Sequence, residues 1–569
     1  MDFKELFWTA AKGVSAAGCW LALAGPVAHA QQRPDAGSVL EGLKQPPVAP
    51  RPGADVLPRA PEPKPALGAP GLKLVVKSFR ITGNTLYRED QLLATVQEFV
   101  GKEQTIDGLN DAATKVRAYY RERGYFLSQA YLPQQEIKDG VVEIAVIEAR
   151  VGKVAVNFKE GSRYSENLVR GLVNAHLKEG DLITETGLET PLLLLNDLPN
   201  AIVSSEIKPS QTVGAADLTV NVADAPGWIS GTVDMDNAGN RFTGAIRTGI
   251  SVNINNPLAL GDQFNYRGFV TDDRMGFYRI GYVLPVGYWG TRVGLSYASF
   301  HYRLGKDFLA AGNHGVGAVT TVYGFHPILR TRSANAIIQF AYEDKTLNDR
   351  DDVSQTITNL NVVSSKLGVV GDFRDGMLGG GLNSFSYTVT EGNVVLSGDL
   401  GNNNASQLGR FAKHNFEFRR LQKISDNASL LLSLSGQMAS KNLASSERFS
   451  LGGASGVRAY PTGEALGDTG YLFQGEFRYI IPGLKVAGGD VTVSGFYDQG
   501  WVQIQENFVG AAGTANNRNL SGYGVGASVG KDSDFVLRAS AAWRNENEVP
   551  NSDTARRIPR VWVQAVKWF

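Results

Sequence analysis

From Pro226 to Phe569 helical periodicity disappears and apolar and polar residues alternate with a period of two. In WISGTVDMD, Ile229, Val233 and Met235 alternate with Ser230, Thr232 and Asp234. In RVGLSYA, Val293, Leu295 and Tyr297 alternate with Gly294, Ser296 and Ala298. LLLSLSGQM sets Leu430, Leu432, Leu434 and Met438 against Ser433, Ser435 and Gln437; DFVLRASAAWR sets Phe535, Leu537, Ala539 and Trp543 against Arg538, Ser540 and Arg544. A period of two sends alternate side chains to opposite faces of a sheet, so this region is β-structure with one apolar face.

A soluble antiparallel sandwich also has one wet face. Two features favour a membrane barrel. The polar face often carries Gly, Ala and Ser, which suit a crowded or watery lumen, and aromatic residues recur near strand ends, as an interfacial girdle requires. At roughly 9–11 residues per tilted strand plus turns and outer loops, residues 225–569 predict an all-β transmembrane barrel of about 16 antiparallel strands. The stretch RVWVQAVKWF closes on a strand with Phe569 last.

Upstream, Lys4 and Lys12 precede an apolar run from Val14 to Ala24, and Ala28-His29-Ala30 closes it in an A-x-A pattern. Residues 1–30 therefore read as a signal peptide cleaved after Ala30. Cys19, the one cysteine of 569 residues, lies inside it, which leaves a mature chain with no disulfide and no thiolate metal site. Lipidation of Cys19 would call for Leu where Ala16 stands. The longest uncharged run, Phe308 to Leu329, holds four glycines, Asn313 and Pro327 and is not a spanning helix. Lys+Arg and Asp+Glu balance at 56 each, which argues against a nucleic-acid partner.

Residues 31–71 form a proline-rich linker, extended and unable to build a core. Within it Ser38 to Gln45 has room for two turns of helix at most before Pro46. Two modules of like architecture follow, at 72–150 and 151–224. The first opens on the strand-like KLVVKSFRITG. A helical pattern at Leu92, Leu93, Val96, Phe99 and Val100 follows, then a second helix with Leu109, Ala113, Val116 and Tyr120 on one face. FLSQAYLP and VVEIAVIEAR are then strands joined across Asp139-Gly140, a hairpin signal. KVAVNF, helices from Ser165 and over LETPLLLL, AIVSSEI and DLTVNVAD repeat this β-α-α-β-β order. If the first strand of a module pairs with its third, the segment carrying Leu127, Gln129, Tyr131 and Leu132 is left at a sheet edge. An open edge accepts an extended partner strand, whereas one covered by a loop does not.

No catalytic group emerges. Gly526 to Gly530 matches G-x-S-x-G, but Ser528 lies in an alternating strand with no helix after it, so it is read as a small lumen residue. GYGVGA, Gly522 to Ala527, fails as a dinucleotide loop for the same reason. DMDNAGN from Asp234 resembles the start of a calcium loop, yet alanines stand where ligands are needed. No histidine pair has a metal spacing. The chain is expected to be a non-enzyme without metal, cofactor or nucleotide.

GGASGVRAYPTGEALGDTG, Gly452 to Gly470, holds six glycines and a single arginine, too long for a turn and too glycine-rich for a core element. On residues alone, Arg458 is either solvated at a loop tip or held bidentately by a carboxylate in a barrel wall, for which Asp498 in SGFYDQG is the candidate. GGASGVRAYP followed by GDTGYLFQGEFRY resembles the inward-folded sixth extracellular loop of the outer-membrane assembly and secretion superfamily, whose signature is V-R-G-[YF]. GFYDQG resembles its F-x-D barrel motif. DNAGNRFTGAIR at Asp236 and NPLALGD at Asn256 to Asp262 resemble the first barrel hairpin of the two-partner secretion branch, the haemolysin-activator and filamentous-haemagglutinin transporters.

That resemblance covers essentially the whole chain. It implies a plug helix near the N-terminus, two α+β polypeptide-transport-associated (POTRA) domains in the periplasm and a 16-stranded barrel in the outer membrane. It assigns the gate or lock to Val457, Arg458, Ala459, Tyr460 and Asp498, with Gly452, Gly453 and Phe496 as motif positions. Two residues depart from the pattern: Ala459 replaces a glycine, and Lys567 stands two before the final Phe569, where an apolar residue is usual. The implied function is ATP-independent secretion of an unfolded exoprotein of haemolysin, adhesin or haemagglutinin type, recognised through its N-terminal secretion domain. The other implied partner is outer-membrane lipid. An assembly factor of the same superfamily is the nearest alternative, and a diffusion porin would need no periplasmic modules.

Overall fold

The computed structural model describes residues 33–43, 73–401, 405–508, 515–545, 550–553 and 557–569. The predicted signal peptide with Cys19, and the proline-rich stretch beyond Leu43, lie outside the described residues. Sixteen antiparallel strands close into one barrel in chain order, from Ile229–Asp236 to Arg560–Trp568, the last pairing with the first. Strand length varies from eight residues in Ile229–Asp236 to twenty in Thr356–Asp375. The faces divide as the alternation predicts. Val233, Met235, Val293, Leu295 and Leu537 stand exposed on the outside, whereas Asp234, Asp236, Asn255, Lys345 and Gln437 are buried within. Ser528 lies within the strand Asn517–Lys531. The carboxylates of DMDNAGN are taken by arginines: Asp236 by Arg247 at 2.8 Å and Asp234 by Arg267. Lys567 pairs with Asp534 of the neighbouring periplasmic turn, which satisfies the charge at the unusual position.

A six-residue helix, α1 (Ala36–Glu41), sits inside the barrel, two residues ahead of the expected span. Asp35 caps it by accepting from Ser38 N at 2.8 Å. Arg33 donates to Asp351 at 2.7 Å and Asn313 at 2.6 Å, and Ala36 N donates to Asp349 at 2.9 Å, so the extracellular ends of the barrel wall hold the helix entrance. Ala36 and Val39 pack with Phe242, Phe300, Tyr302 and Leu443. Propensity alone would not sustain six residues in water; tertiary contacts supply the order.

In the first periplasmic module, the strand Ser78–Thr82 pairs in parallel with Val141–Ile147, which pairs antiparallel with Gln129–Tyr131. Helices α2 (Glu89–Leu93, continued by a 3₁₀ turn over Ala94–Phe99) and α3 (Ile106–Arg121) cover one face. The four predicted α3 residues, Leu109, Ala113, Val116 and Tyr120, are all buried. Asp139 and Gly140 both have positive φ, 55° and 74°, but they do not form a tight two-residue hairpin. Tyr131 registers with Ala145, so residues 132–140 intervene. Pro133 has no amide to donate and stops the ladder; the Gln135 side chain takes over, bonding both N and O of Glu143 at 2.7 and 2.8 Å. Glu148 anchors the α3 end, accepting from Thr85 N at 2.9 Å, Leu86 N at 2.8 Å and the Tyr120 hydroxyl at 2.8 Å.

The second module repeats the order with α4 (Glu166–His176) and α5 (Glu185–Asn196), and the strand order Arg150–Phe158, Ala215–Asp224, Ala201–Pro209. It is clamped to three periplasmic turns of the barrel. Arg330 grips Asp197 with two bonds of 2.8 Å, Arg332 takes Glu185 at 2.9 Å and also Glu189, and Ser165 N donates to Ala259 O at 3.1 Å. The His176 ring lies 4.8 Å from that of Trp289.

Candidate functional site: an arginine lock inside the pore

The segment 440–468 connects the strands Ala428–Ala439 and Thr469–Val486 and folds into the lumen. Its base is pinched by a two-stranded pairing, Phe449↔Gly467 and Ser450↔Leu466. Beneath the pinch, Glu447 is buried against Lys345 at 2.5 Å and Lys413 at 3.0 Å, and Arg448 meets Asp468 at 3.0 Å. The tip is an apolar knob: Leu451, Val457 and Tyr460 are fully buried and pack with Phe496, Val502 and Leu520 of the wall. Gly452 N donates to Glu464 O at 3.0 Å, and Gly453 N to Tyr460 O at 3.2 Å. Gly453 has φ +122°, a conformation open to glycine and little else.

Arg458 projects from this knob into a set of four groups. Its Nε and Nη2 donate to the two oxygens of Asp498 at 2.8 and 2.7 Å, and its backbone N reaches the same carboxylate at 3.1 Å. Nη1 donates to Glu476 at 2.6 Å, and the guanidinium carbon lies 3.4 Å from the centroid of the Phe496 ring. The indole Nε1 of Trp562 donates to the Arg458 carbonyl at 2.7 Å. Asp498 is fully buried. A planar guanidinium with a fork of donors satisfies two carboxylates and an aromatic face at once, which an ammonium cannot do.

Strand register explains the convergence. Gln474 stands opposite Asp498 and Glu476 opposite Phe496, so alternate inward positions of two neighbouring strands aim at one point. Gln474 itself donates to Gly456 O at 2.9 Å. Ala459 is accommodated because the wall opposite is Gly522: a Cβ there would collide with the Ala459 methyl. Loop contacts reach further round the barrel, with Glu464 accepting from Arg518 at 2.9 Å and Thr462 donating to Ala238 O at 2.9 Å.

The structure thus brings together Val457, Arg458, Ala459, Tyr460, Phe496 and Asp498. It adds Glu476 and Trp562, which the sequence reading passed over although both lie on inward-facing strand positions. The four edge-strand candidates divide. Gln129 and Tyr131 lie in the edge strand of the first module, Tyr131 exposed. Leu127 instead packs against the core of the second module and Leu132 against that of the first, because the chain bends inward on both sides of a three-residue strand. Among the described residues no group of His, Asp and Glu is placed to hold a metal ion.

Closed barrel, twin modules and a loop pinned within the lumen together define an outer-membrane polypeptide transporter with periplasmic POTRA domains. Residues 214–529 match the family model of the haemolysin secretion/activation proteins ShlB/FhaC/HecB, and residues 74–149 match the ShlB-type POTRA domain. The chain belongs to this family of two-partner secretion transporters. Its barrel lies in the outer membrane and its POTRA domains in the periplasm. It is 27% identical over 549 residues to the heme/hemopexin transporter protein HuxB of Haemophilus influenzae, covering 94% of this chain and 95% of that one. It is 25% identical to the outer membrane transporter CdiB of Dickeya dadantii over 75% of each chain. The fold is shared with solved CdiB from Escherichia coli (TM-score 0.67, 20% identity, 89% and 93% covered). It is also shared with BamA from Haemophilus ducreyi lacking POTRA domains 1–3 (TM-score 0.51, 13% identity, 87% and 100% covered).

Proposed function

We propose that this transporter takes an unfolded exoprotein in the periplasm through an N-terminal secretion domain of that client and passes it outward without ATP. The Val457–Tyr460 knob, with Arg458 held by Asp498, acts as the gate. The observation that carries this reading is the bidentate Arg458–Asp498 pair at the centre of the wall contact. The base of the loop is held by Glu447, Arg448 and Glu464, and Arg458 latches its tip, so withdrawing that arginine would unlatch the tip. No phosphate-binding signature offers a nucleotide drive, so binding and external folding of the client supply direction. The outer face of exposed Val, Leu and Tyr side chains meets lipid. The Gln129–Tyr131 edge offers backbone pairing to an extended client strand, over a length of three residues. The protein is read as a transporter with no chemistry of its own.

Comparative proteomics of culture supernatant and outer membrane, with the chain deleted and restored, tests the assignment. Loss of one large polypeptide from the supernatant with other barrels unchanged is the expected result. A general fall in outer-membrane barrels would make the protein an assembly factor instead.

A further inference from the structure

Three close fits join the second POTRA domain to the periplasmic turns of the barrel, each a bulky side chain set over a glycine. At Gly261, in the turn between the second and third barrel strands, a Cβ would press on Leu198 and Leu168 at 2.9 and 3.0 Å. At Gly290, between the fourth and fifth, it would crowd Leu194 of α5. The third fit runs the other way. Gly171 belongs to α4 of the POTRA domain, and a Cβ there would collide with the ring of Tyr288 from the barrel turn. Gly261 and Gly290 have φ of +74° and +76°, which call for glycine whatever stands opposite. Gly171 has no such reason. It stands mid-helix, where glycine weakens the local helix about fivefold relative to alanine. The next residue of the turn, Trp289, places its ring 4.8 Å from that of His176 at the end of the same helix.

We propose that Gly171 is a socket for the Tyr288 ring and registers the second POTRA domain beneath the pore. The salt bridges Arg330–Asp197 and Arg332–Glu189 bind the domain at α5, but ion pairs between flexible side chains tolerate a change of angle. A ring in direct contact with helix backbone does not, because close-packed atoms leave no room to slide. With α5 held by charge and α4 by the seated ring, two helices are fixed and the tilt of the domain is set. A client handed upward enters at the rim on which this domain stands, so its tilt sets the entrance. Gly171 is thus a positioning residue that acts through Tyr288 and touches no client. This inference rests on the transport reading and adds to it the contact that fixes the receiving domain.

The test is hydrogen exchange on the full chain in detergent micelles, without client, read at two amides that donate across the interface. Ser165 N bonds Ala259 O at 3.1 Å beside α4, and Arg332 N bonds Glu189 at 3.2 Å beside α5. Gly171→Ala should accelerate both about tenfold although it strengthens the helix itself, and Tyr288→Ala should do the same. The double variant should be no faster than either single one, since both remove one contact. Asn174→Ala, on the exposed side of α4, also raises helix propensity and should leave both rates unchanged. Export by Gly171→Ala should fall severalfold at unchanged abundance. Unchanged rates in Gly171→Ala, acceleration at Ser165 alone, additive effects in the double variant, or wild-type export despite faster exchange each overturn the proposal. So does acceleration by Asn174→Ala. Because exchange is read without client, a failure there removes the socket and leaves the transport reading standing, whereas failure of the transport reading shows in the supernatant.

Discussion

Arg458 and Asp498 are 40 residues apart in sequence, and two parallel hydrogen bonds join them inside the barrel wall, with the carboxylate fully buried. Breaking a buried pair from one side leaves the other charge uncompensated, at a cost of about 3–5 kcal/mol. Arg458→Ala should therefore loosen the tip of the loop while leaving the barrel folded, since strand pairing does not depend on it. Export should fall at unchanged protein level, and single-channel conductance in a planar bilayer should change. Wild-type export from Arg458→Ala at wild-type abundance would refute the lock. Arg458→Lys should not rescue, because a point charge cannot serve Asp498, Glu476 and the Phe496 ring together.

The Ala459–Gly522 contact gives a test by compensation. Gly522→Ala places a methyl against that of Ala459 and should displace the loop, an overpacking cost of about 1–3 kcal/mol. Adding Ala459→Gly removes one of the two methyls and should recover part of the export and conductance, the Trp543 carbonyl oxygen at 2.8 Å remaining as a second close contact of the new Cβ. If the double variant is as defective as the single, the contact is not what Gly522 protects.

Helix α1 inside the barrel is held at its start by Arg33. Removing one charge-assisted bond to Asp351 should cost about 1.5 kcal/mol, equivalent to roughly a tenfold shift between seated and released helix. Arg33→Ala and Asp351→Asn should each raise the fraction of open channels in planar-bilayer recordings, and high salt should mimic them in part. Open probability indifferent to both changes would show that packing of Ala36 and Val39 alone retains the helix.

Glu148 makes the first POTRA domain sensitive to acid. Burial pushes its carboxyl up, but hydrogen bonds from Thr85, Leu86 and Tyr120 outweigh this and hold it below the usual carboxylate range. A carboxyl lower in the folded than in the unfolded state stabilises fully above its unfolded value of ~4.3, and that stability is lost as the pH falls from there through the lower folded value. Hydrogen exchange at Thr85 and Leu86, corrected for the intrinsic rate, should hold steady from pH 7 to about pH 5 and accelerate below it, toward about pH 3. Glu148→Gln, expected to cost about 2 kcal/mol, should be accelerated already at pH 7 and show little further pH response. An equal acid response in the variant would place the sensitivity elsewhere.

The barrel was legible because its alternation is a property of single strands: one parity faces lipid and the other the lumen, whatever the neighbours are. The lock was legible only in part. Arg458 stands out as the single arginine of a glycine-rich stretch, but Glu476 and Trp562 are two of many inward-facing polar or aromatic residues. What selects them is register across the twelfth, thirteenth and sixteenth barrel strands, which no local pattern encodes. The Asp139-Gly140 signal misled about turn length because Pro133, six residues earlier, had already ended the ladder. Helix α1 shows the same limit. Six residues hold too little local information to declare a helix, and the Asp349, Asp351 and Asn313 contacts that order it come from about 280 to 320 positions away.

The bond from Trp562 to the Arg458 carbonyl ties the inward-folded loop to the seam of the barrel. Trp562 belongs to the sixteenth strand, the one that meets the first strand to close the cylinder. Asp498, Glu476 and Phe496 come from two neighbouring strands, whereas the fourth partner comes from the strand at the seam. Any parting of the last strand from the first would pull on the bond that seats Arg458, so strain at the seam and the hold on the arginine are mechanically joined.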